Sequence, residues 1–260
     1  MQDDYRLFQE RIFKLTGIDL TLYKEDQMKR RLSSLKAKYG VASFIDYYEQ
    51  LKRSPQLLEE CLDKITINVT EFFRNKQRWD ILEKKILPNL IANKKDRLKV
   101  WSSACSTGEE PYSLFMLLSK YLNDSSYDIL ATDIDPKALN SAKRGVYPER
   151  ALKEVSDIER KTYFIKREGG WEINDRLRSH PVCFRSLNLL ADRFEKNFDL
   201  ILCRNVVIYF TDTAKHALYG KLARALTDEG VLFVGSTEQI FNPQQYGLEP
   251  IETFFYKKTS

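Results

Sequence analysis

Histidine is almost absent from this chain, which has only His180 and His216 in 260 residues. Neither lies beside a candidate nucleophile or a cluster of metal-ligating side chains, so the sequence argues against triad chemistry and against a histidine metal site. Cysteine is scarce too, and no two cysteines form the CxxC pair found in zinc and redox sites. The four are Cys61, Cys105, Cys183 and Cys203. We expect buried free thiols and no metal ion.

Long apolar runs and a strong net charge are also missing. No stretch approaches the roughly 18 consecutive apolar residues of a membrane span, and the N-terminus carries acids where a signal peptide has a basic and then an apolar run. The net charge is +5, a smaller excess than the concentrated cationic face of most nucleic-acid-binding domains. We expect a cytoplasmic protein with no membrane insertion and no nucleic-acid partner.

The first 66 residues carry helical patterns and no strand pattern. Apolar residues recur there at helical spacing, and Gly40 and Ser43 are placed to end one helix and begin the next. The sequence predicts a small all-helical domain over residues 1–66. A segment with a linker helix follows over residues 67–97, with a kink or an end near Pro88.

Strand and helix patterns alternate from residue 98 onwards. The predicted strands are 98–104, 127–132, 182–187, 198–204, 231–235 and 254–257, and the predicted helices include 136–144 and 213–226. This alternation predicts an α/β fold over residues 98–260, with a doubly wound, mostly parallel Rossmann-like sheet. Residues near 147–181 fit it poorly and predict an inserted β-hairpin subdomain around Gly169 and Gly170.

The most informative segment is VWSSACSTGEEPYSLFMLL at residues 100–118, followed by a strand that ends on Asp133. It predicts a strand, a small-residue turn, a helix with Pro111 at its first position, and a second strand. Small residues let the backbone approach a ligand closely. A carboxylate about 20 to 25 residues beyond such a turn accepts ribose hydroxyls in nucleotide-binding folds. The pattern therefore predicts a nucleoside ligand.

The acids at the head of this helix narrow the choice of ligand. Only Gly108 stands where a dinucleotide fingerprint has three glycines, and Glu109 and Glu110 would repel a pyrophosphate. They suit a nucleoside that carries a cation, and S-adenosylmethionine (SAM), with its sulfonium and ammonium groups, fits. The alternative is that both glutamates only complement the helix dipole.

Four parts of the chain, in order and at regular spacing, carry a family pattern. They are ITINVTEFFRN at 65–75, VWSSACSTGEEPYS at 100–113, ATDIDPKAL with AKRGVY within 131–147, and FDLILCRNVVIYF at 198–210 with LFVGSTE at 232–238. Together they resemble the chemotaxis receptor glutamate methyltransferases, the CheR family, along nearly the whole chain. The resemblance implies a SAM-dependent protein-glutamate O-methyltransferase that releases S-adenosylhomocysteine. Many relatives have a GHSE-like segment where this chain has GSTE at 235–238, and we expect this departure to be tolerated.

The resemblance also implies that residues 67–97 include a segment that covers the cofactor, and it implies site residues. Arg74 and Tyr209 would lie nearest the reacting groups, and either Glu109 or Glu110 would contact the cofactor together with Asp133. The further cofactor-binding residues that it implies are Asn68, Thr70, Asn188, Leu189, Asn205 and Val206, with Arg74 serving in both roles.

The implied reaction suits a site without histidine. A glutamate side chain has a pKa of about 4.3, so the nucleophile is already ionised at neutral pH and needs no general base. Arg74 would orient this carboxylate, and the Tyr209 hydroxyl would hold one of its oxygens or the methionine end. Catalysis would then depend on positioning and on the exclusion of water.

The same resemblance implies a docking role for a cationic stretch within residues 24–38. The methylation segments of the family's receptors are acidic helical bundles, on which a basic helix face could dock. The implied docking residues are Lys29, Arg30, Arg31, Lys36 and Lys38. The alternative is a solvated amphipathic helix. We expect a monomer whose partners are the cytoplasmic helices of methyl-accepting chemotaxis receptors.

Two other functions compete with this interpretation. A nucleic-acid methyltransferase is disfavoured because Asn205 opens no NPPY-like element and no matching loop carries a Pro-Cys nucleophile. A non-catalytic module that binds the cofactor and signals is disfavoured by the presence of Arg74 and Tyr209.

Overall fold

A computed structural model describes residues 4–92, 94, 96–179 and 182–259. His180, residues 93 and 95 of the predicted linker and residue 181 at the end of the predicted insert lie outside the described residues. The chain divides into two compact units. Unit 1 comprises Met1–Asn68 with Val207–Leu218, and unit 2 comprises Val69–Val206 with Tyr219–Ser260.

Unit 1 is helical, as the sequence predicts. Its helices are α1 (Asp4–Thr16), α2 (Glu25–Lys38), α3 (Phe44–Arg53) and α4 (Pro55–Thr66), with a 3-10 turn at Leu20–Leu22. Ser43 caps α3 by accepting the amide of Asp46 at 3.0 Å, at the predicted position. The core is aromatic, with Phe8 and Tyr47 buried between α1 and α3. Leu15 continues the helical spacing of the apolar residues Tyr5, Phe8 and Ile12 in α1, but unlike them it is exposed.

The segment Val207–Leu218 joins this helical unit through backbone pairing. The amide of Lys24 donates to the carbonyl of Tyr209 and the amide of Thr211 donates to the carbonyl of Leu22, each at 2.9 Å. The ring of Phe210 packs edge-on against that of Tyr23. The predicted division at residue 66 placed this segment with the sheet, because sequence patterns are local whereas these contacts span almost the whole chain.

Unit 2 holds the remaining strands and helices, apart from the beginning of the helix Asp212–Ala225, which lies in unit 1. Its helices are α5 (Lys76–Ile81), α6 (Leu87–Ala92), α7 (Glu109–Leu118), α8 (Pro136–Arg144), α9 (Asp157–Tyr163), α10 (Asp175–Ser179) and the end of α11 (Asp212–Ala225). Its strands are β1 (Leu98–Ser102), β2 (Tyr127–Asp133), β3 (Val146–Tyr147), β4 (Phe164–Arg167), β5 (Gly170–Ile173), β6 (Val182–Ser186), β7 (Phe198–Cys203), β8 (Leu226–Val234), β9 (Leu248–Glu252) and β10 (Phe255–Lys258).

The main sheet confirms the predicted fold class. Its strand order is β6-β2-β1-β7-β8-β10-β9, and the first five strands are parallel while β10 pairs antiparallel with both neighbours. The chain runs outward from β1 to β2 and β6, and then returns to the other side of β1 as β7. The strand order therefore reverses between β1 and β7, where ligands of open α/β sheets bind at the carboxyl ends of the strands.

The inserted hairpin is present as a separate small sheet. Strands β4 and β5 pair antiparallel, and β3 adds a third strand in the order β3-β5-β4. The turn at Gly169 has a φ of 86°, a conformation that favours glycine.

Two proline predictions need correction. Of the predicted kink or end near Pro88, the end is wrong, because α6 continues past Pro88 to Ala92. The helix is irregular just before this proline, with a π-helical turn at Leu82–Ile86. Pro111 is the third residue of α7 rather than the first, since the helix begins at Glu109. Its missing N–H still costs nothing there, because the first four amides of a helix have no partner within the helix.

The described cysteines are free, as expected. Cys61, Cys105 and Cys203 are buried, whereas Cys183 is exposed on β6, contrary to the expectation of burial. No helix in the described part of the chain is long and apolar enough to cross a membrane.

Candidate cofactor and active site

The turn after β1 is shaped by two residues with positive φ. Ser106 has a φ of 47° and points its amide at Oδ2 of Asp133, 2.7 Å away. Gly108 has a φ of 97°, and a Cβ at this position would lie 2.7 Å from Cβ of Ala142. The turn therefore fits tightly against α8, which requires glycine at position 108 for both backbone conformation and space.

Asp133 stands at the carboxyl end of β2, as the sequence predicts. Its Oδ2 accepts the amide of Ser106 and its Oδ1 accepts the amide of Asp135 at 3.0 Å. Burial raises the pKa of this carboxyl group, and these backbone hydrogen bonds act against that rise. Each carboxylate oxygen can accept more than one hydrogen bond, so a fixed Asp133 retains acceptor capacity for the hydroxyls of a ribose.

The two glutamates at the start of α7 differ in their hydrogen-bond and ion-pair partners. Glu110 accepts from the hydroxyl of Ser102 at 2.7 Å and pairs with the guanidinium of Arg204 at 3.2 Å. Glu109 accepts from the hydroxyl of Thr107 at 2.7 Å, and no lysine or arginine of the described residues forms an ion pair with it. Glu109 is 4% exposed, and burial raises its pKa from 4.5 to about 7. A cationic ligand would compensate this carboxylate.

Arg204, which the sequence interpretation did not select, contacts two of the predicted site residues. It follows β7 directly, and its guanidinium donates to Glu110 and, at 2.7 Å, to the carbonyl oxygen of Arg74. The signal available was a charged residue directly after a strand that is buried throughout. The guanidinium of Arg74 is only partly buried and donates to the carbonyl oxygen of Val69 at 2.8 Å.

Asn205 is held in the left-handed region, with a φ of 57°. Its amide donates to Oε2 of the buried Glu238 at 2.6 Å, and the same oxygen accepts the amide of Gly235 at 2.8 Å. The GSTE segment thus holds the loop at Asn205 in place through Glu238. The hydroxyl of Ser236 in the same segment accepts from the side-chain amide of Asn75 at 2.9 Å. Sequence reasoning placed Glu238 in a family segment without giving it this task.

The loop after β6 carries the next predicted pair. Asn188 begins a tight turn in which its side-chain oxygen accepts the amide of Leu190 at 3.0 Å. Leu189 is buried, and its carbonyl oxygen accepts from the side chain of Lys221 at 2.8 Å. Thr70 and Val206 are half-buried in the same unit.

Asn68 and Tyr209 belong to unit 1. The side-chain amide of Asn68 donates to the hydroxyl of Thr66 at 3.4 Å. The ring of Tyr209 lies 4.8 Å from the guanidinium of Arg31. The predicted roles of both residues toward the cofactor and the methyl acceptor remain predictions.

Comparison with known proteins decides the family. The model described as the all-alpha domain of CheR methyltransferase matches residues 3–66, and that described as the SAM binding domain of CheR methyltransferase matches residues 68–255. The chain belongs to the CheR methyltransferase family. A chemotaxis protein methyltransferase of Listeria monocytogenes is 46% identical, covering 100% of this chain and 98% of the relative.

More distant relatives also match over most of both chains. A chemotaxis protein methyltransferase of Borreliella burgdorferi is 34% identical over 95% of this chain and 91% of its own. One of Escherichia coli is 31% identical over 90% of this chain and 83% of its own. The chain is therefore a SAM-dependent methyltransferase, and the predicted cofactor is confirmed.

The CheR site fits this cofactor by the chemistry of its side chains. Asp133 has a fixed carboxylate that would accept the hydroxyls of a ribose, and Glu109 has a buried carboxylate with no cationic partner among the described residues. Bound SAM supplies an electrophilic methyl group on a sulfonium, together with an ammonium group. Glu109 rather than Glu110 is thus the glutamate of this CheR chain that has its charge available.

Replacing Glu109 with glutamine is expected to raise the stability of the cofactor-free protein at pH 8. Because the pKa is raised in the folded state, this group lowers stability as the pH rises from about 4.5 to about 7, and the full cost remains above that range. The gain at pH 8 should be about 3 kcal/mol at most, since one pKa unit corresponds to about 1.4 kcal/mol. It should disappear near pH 4 in denaturant titrations.

The matched control for this prediction is the neighbouring change Glu110→Gln. It removes the partner of the buried Arg204 and should destabilise the protein at both pH values. Equal behaviour of the two variants would contradict the distinction between the glutamates.

Proposed function

We propose that the protein transfers the methyl group of SAM to glutamate side chains on the cytoplasmic helices of chemotaxis receptors, forming methyl esters in the cytoplasm. The observation that carries the proposal is the full-length match to proteins named chemotaxis protein methyltransferase. The site supports it, because an ionised carboxylate nucleophile needs no general base. None of the described residues at the strand ends of the main sheet is a histidine.

Arg74 supplies the proposed contact with the acceptor glutamate. Its main chain is fixed, because its carbonyl oxygen accepts from buried Arg204 and, at 3.1 Å, from the indole of Trp79. Its side chain ends on the carbonyl oxygen of Val69, a neutral acceptor that an incoming carboxylate would replace with a charged one. Arg74 would act by placing the carboxylate, and correct orientation can lower a barrier by roughly 7 to 11 kcal/mol at best.

The basic helix α2 supports the proposed docking to acidic receptor helices through Arg30. The ammonium of Lys38 is paired with Glu60 at 2.6 Å, and Lys36 and Lys29 lie over the rings of Phe44 and Tyr5. Arg30 is exposed. Of the five predicted docking residues, Arg30 has no ion pair or ring contact among the described residues, so its charge is directed to solvent.

The change Arg30→Ala is expected to raise KM for receptor fragments about threefold to tenfold at low salt, with little change in kcat. Rim charges act mainly on the encounter rate, and the difference should shrink near 0.5 M salt because screening shortens the Debye length. Initial rates at several salt concentrations measure it. Arg53→Ala, at the exposed end of α3, is the matched control. An unchanged KM and salt dependence for Arg30→Ala would remove the docking role.

The transfer itself is tested with methyl-labelled SAM and receptor cytoplasmic fragments, with nucleic acid in a parallel reaction. Label on the receptor that base treatment releases as volatile methanol is the expected result, because esters hydrolyse in base. Base-stable label, or label on nucleic acid, would instead indicate one of the competing reactions. Binding of SAM without any transfer would indicate a non-catalytic module.

A further inference from the structure

Arg204 is a buried cation that bridges two parts of the site. Its side chain is 2% exposed. One terminal nitrogen donates to Oε2 of Glu110 at 3.2 Å and the other to the carbonyl oxygen of Arg74 at 2.7 Å. The guanidinium lies over the ring of Phe233 at 4.6 Å and near that of Trp79 at 5.7 Å. The planar fork thus connects the head of α7 to the main chain of Arg74.

The main chain that Arg204 holds is conformationally strained. Phe73 and Asn75, on either side of Arg74, have φ values of 50° and 62°. Such conformations persist in non-glycine residues only where the surroundings impose them. The amide of Phe73 donates to the hydroxyl of Ser113, and the carbonyl oxygen of Arg74 accepts from both Arg204 and Trp79. These bonds fix the direction in which the Arg74 side chain leaves the backbone.

Burying Arg204 lowers the stability of the protein relative to an apolar residue at the same position. Burial lowers the pKa of Arg204, and its Nε has no hydrogen-bond partner among the described residues. A well-packed apolar group in such a place is often as stable as a buried ion pair. The cost is explained if the bridge positions reacting groups.

We propose that Arg204 is a positioning residue, which holds Arg74 in register with the cofactor-binding turn by joining Glu110 to the Arg74 carbonyl. The inference rests on the proposed function, since Arg74 is there assigned to the acceptor glutamate. Lysine cannot replace the bridge, because its single nitrogen cannot present two parallel donors in one plane. The charge alone is therefore insufficient.

The test compares Arg204→Lys with Arg160→Lys. Arg160 offers a close match outside the site: its guanidinium donates to Glu149 and to the carbonyl oxygen of Leu152, it lies over the ring of Trp171, and its Nε is also unpartnered. Arg204→Lys should lower kcat on receptor fragments about 10-fold to 100-fold, with the Kd for SAM changed less than about threefold in calorimetry. Arg160→Lys should leave both within about twofold.

The decisive measurement is the effect of Arg204→Lys on kcat in a protein that already carries Arg74→Ala. If Arg204 acts through Arg74, Arg204→Lys should lower kcat further by less than about twofold once Arg74 is alanine. A full additional loss in that background, or equal losses in kcat for Arg204→Lys and Arg160→Lys, would overturn the inference. Should Arg204→Lys fail to fold, Trp79→Phe is measured in its place, with and without Arg74→Ala, because it removes the other donor to the carbonyl oxygen of Arg74.

Failure of the proposed function gives a different result. A wild-type enzyme that labels no receptor glutamate contradicts the function itself, whereas an active wild type with an equally active Arg204→Lys variant contradicts only the positioning role.

Discussion

Replacing Arg74 with alanine is expected to lower kcat on receptor fragments by about 100-fold to 1,000-fold, the range typical of losing one preorganised charged donor. The Kd for SAM should rise less than about tenfold. The physical reason is that the main chain of Arg74 is anchored independently, by Arg204 and Trp79, so truncation removes the contact with the acceptor and leaves the turn in place. Steady-state rates and calorimetry on the same preparation measure both quantities.

The control for this prediction is Arg78→Ala, four residues away in α5. Arg78 lies over the ring of Phe254 and has no assigned part in the reaction. It should lose less than about twofold in kcat. Equal losses of cofactor affinity and turnover in Arg74→Ala would show that Arg74 acts through cofactor binding alone and would contradict its role in placing the acceptor.

The change Gly108→Ala is expected to lower the free energy of unfolding by about 2–4 kcal/mol and to weaken SAM binding at least tenfold. Two costs add at this position, since the backbone has a φ of 97° and the new methyl group would lie 2.7 Å from Cβ of Ala142. The helix α8 or the turn must move apart, and the turn carries the amide that holds Asp133. Denaturant titration and calorimetry measure the two effects.

Gly247→Ala in the same unit is the control that separates the cost of the backbone conformation from the cost of the close contact. Gly247 also has a positive φ, 68°, but a Cβ there would meet only the Thr259 hydroxyl at 3.9 Å. It should cost about 1–2 kcal/mol and leave SAM binding unchanged. In the Gly108→Ala background, Ala142→Gly removes the close methyl group and should restore part of the binding. Equal costs for the two glycine changes would contradict the tight fit of the turn.

The elements that the sequence predicts well are those with strong local signals. The buried parallel strands β1, β2 and β7 agree with their predictions to within two residues. The helix α8 begins at Pro136 and ends before Gly145, as predicted. The strand β9 was not predicted, because Pro250 and acidic neighbours weaken its pattern and its pairing depends on the distant β10. The strand β8 begins at Leu226 rather than at residue 231, since Thr227–Gly230 resembles a turn.

The candidate site divides in the same way. Asp133, Gly108 and the two glutamates could be selected from spacing, because the turn and the strand end are adjacent in a β-α-β unit. Spacing could not tell Glu109 from Glu110, since what separates them is the position of Arg204, 94 residues away in the chain. The contact of Arg31 with Tyr209 could not be predicted from sequence patterns either, because the two residues lie in segments far apart in the sequence.

The most direct test of the central claim is mass spectrometry of a receptor cytoplasmic fragment after incubation with the enzyme and SAM. We expect peptides heavier by one methylene, with the added mass on glutamate side chains and removed by mild base. At equal incubation times, far less of this product should form when Arg74→Ala replaces the wild type. Addition to lysine, to a chain terminus or to no residue of the receptor, under conditions where the enzyme binds SAM, would contradict it.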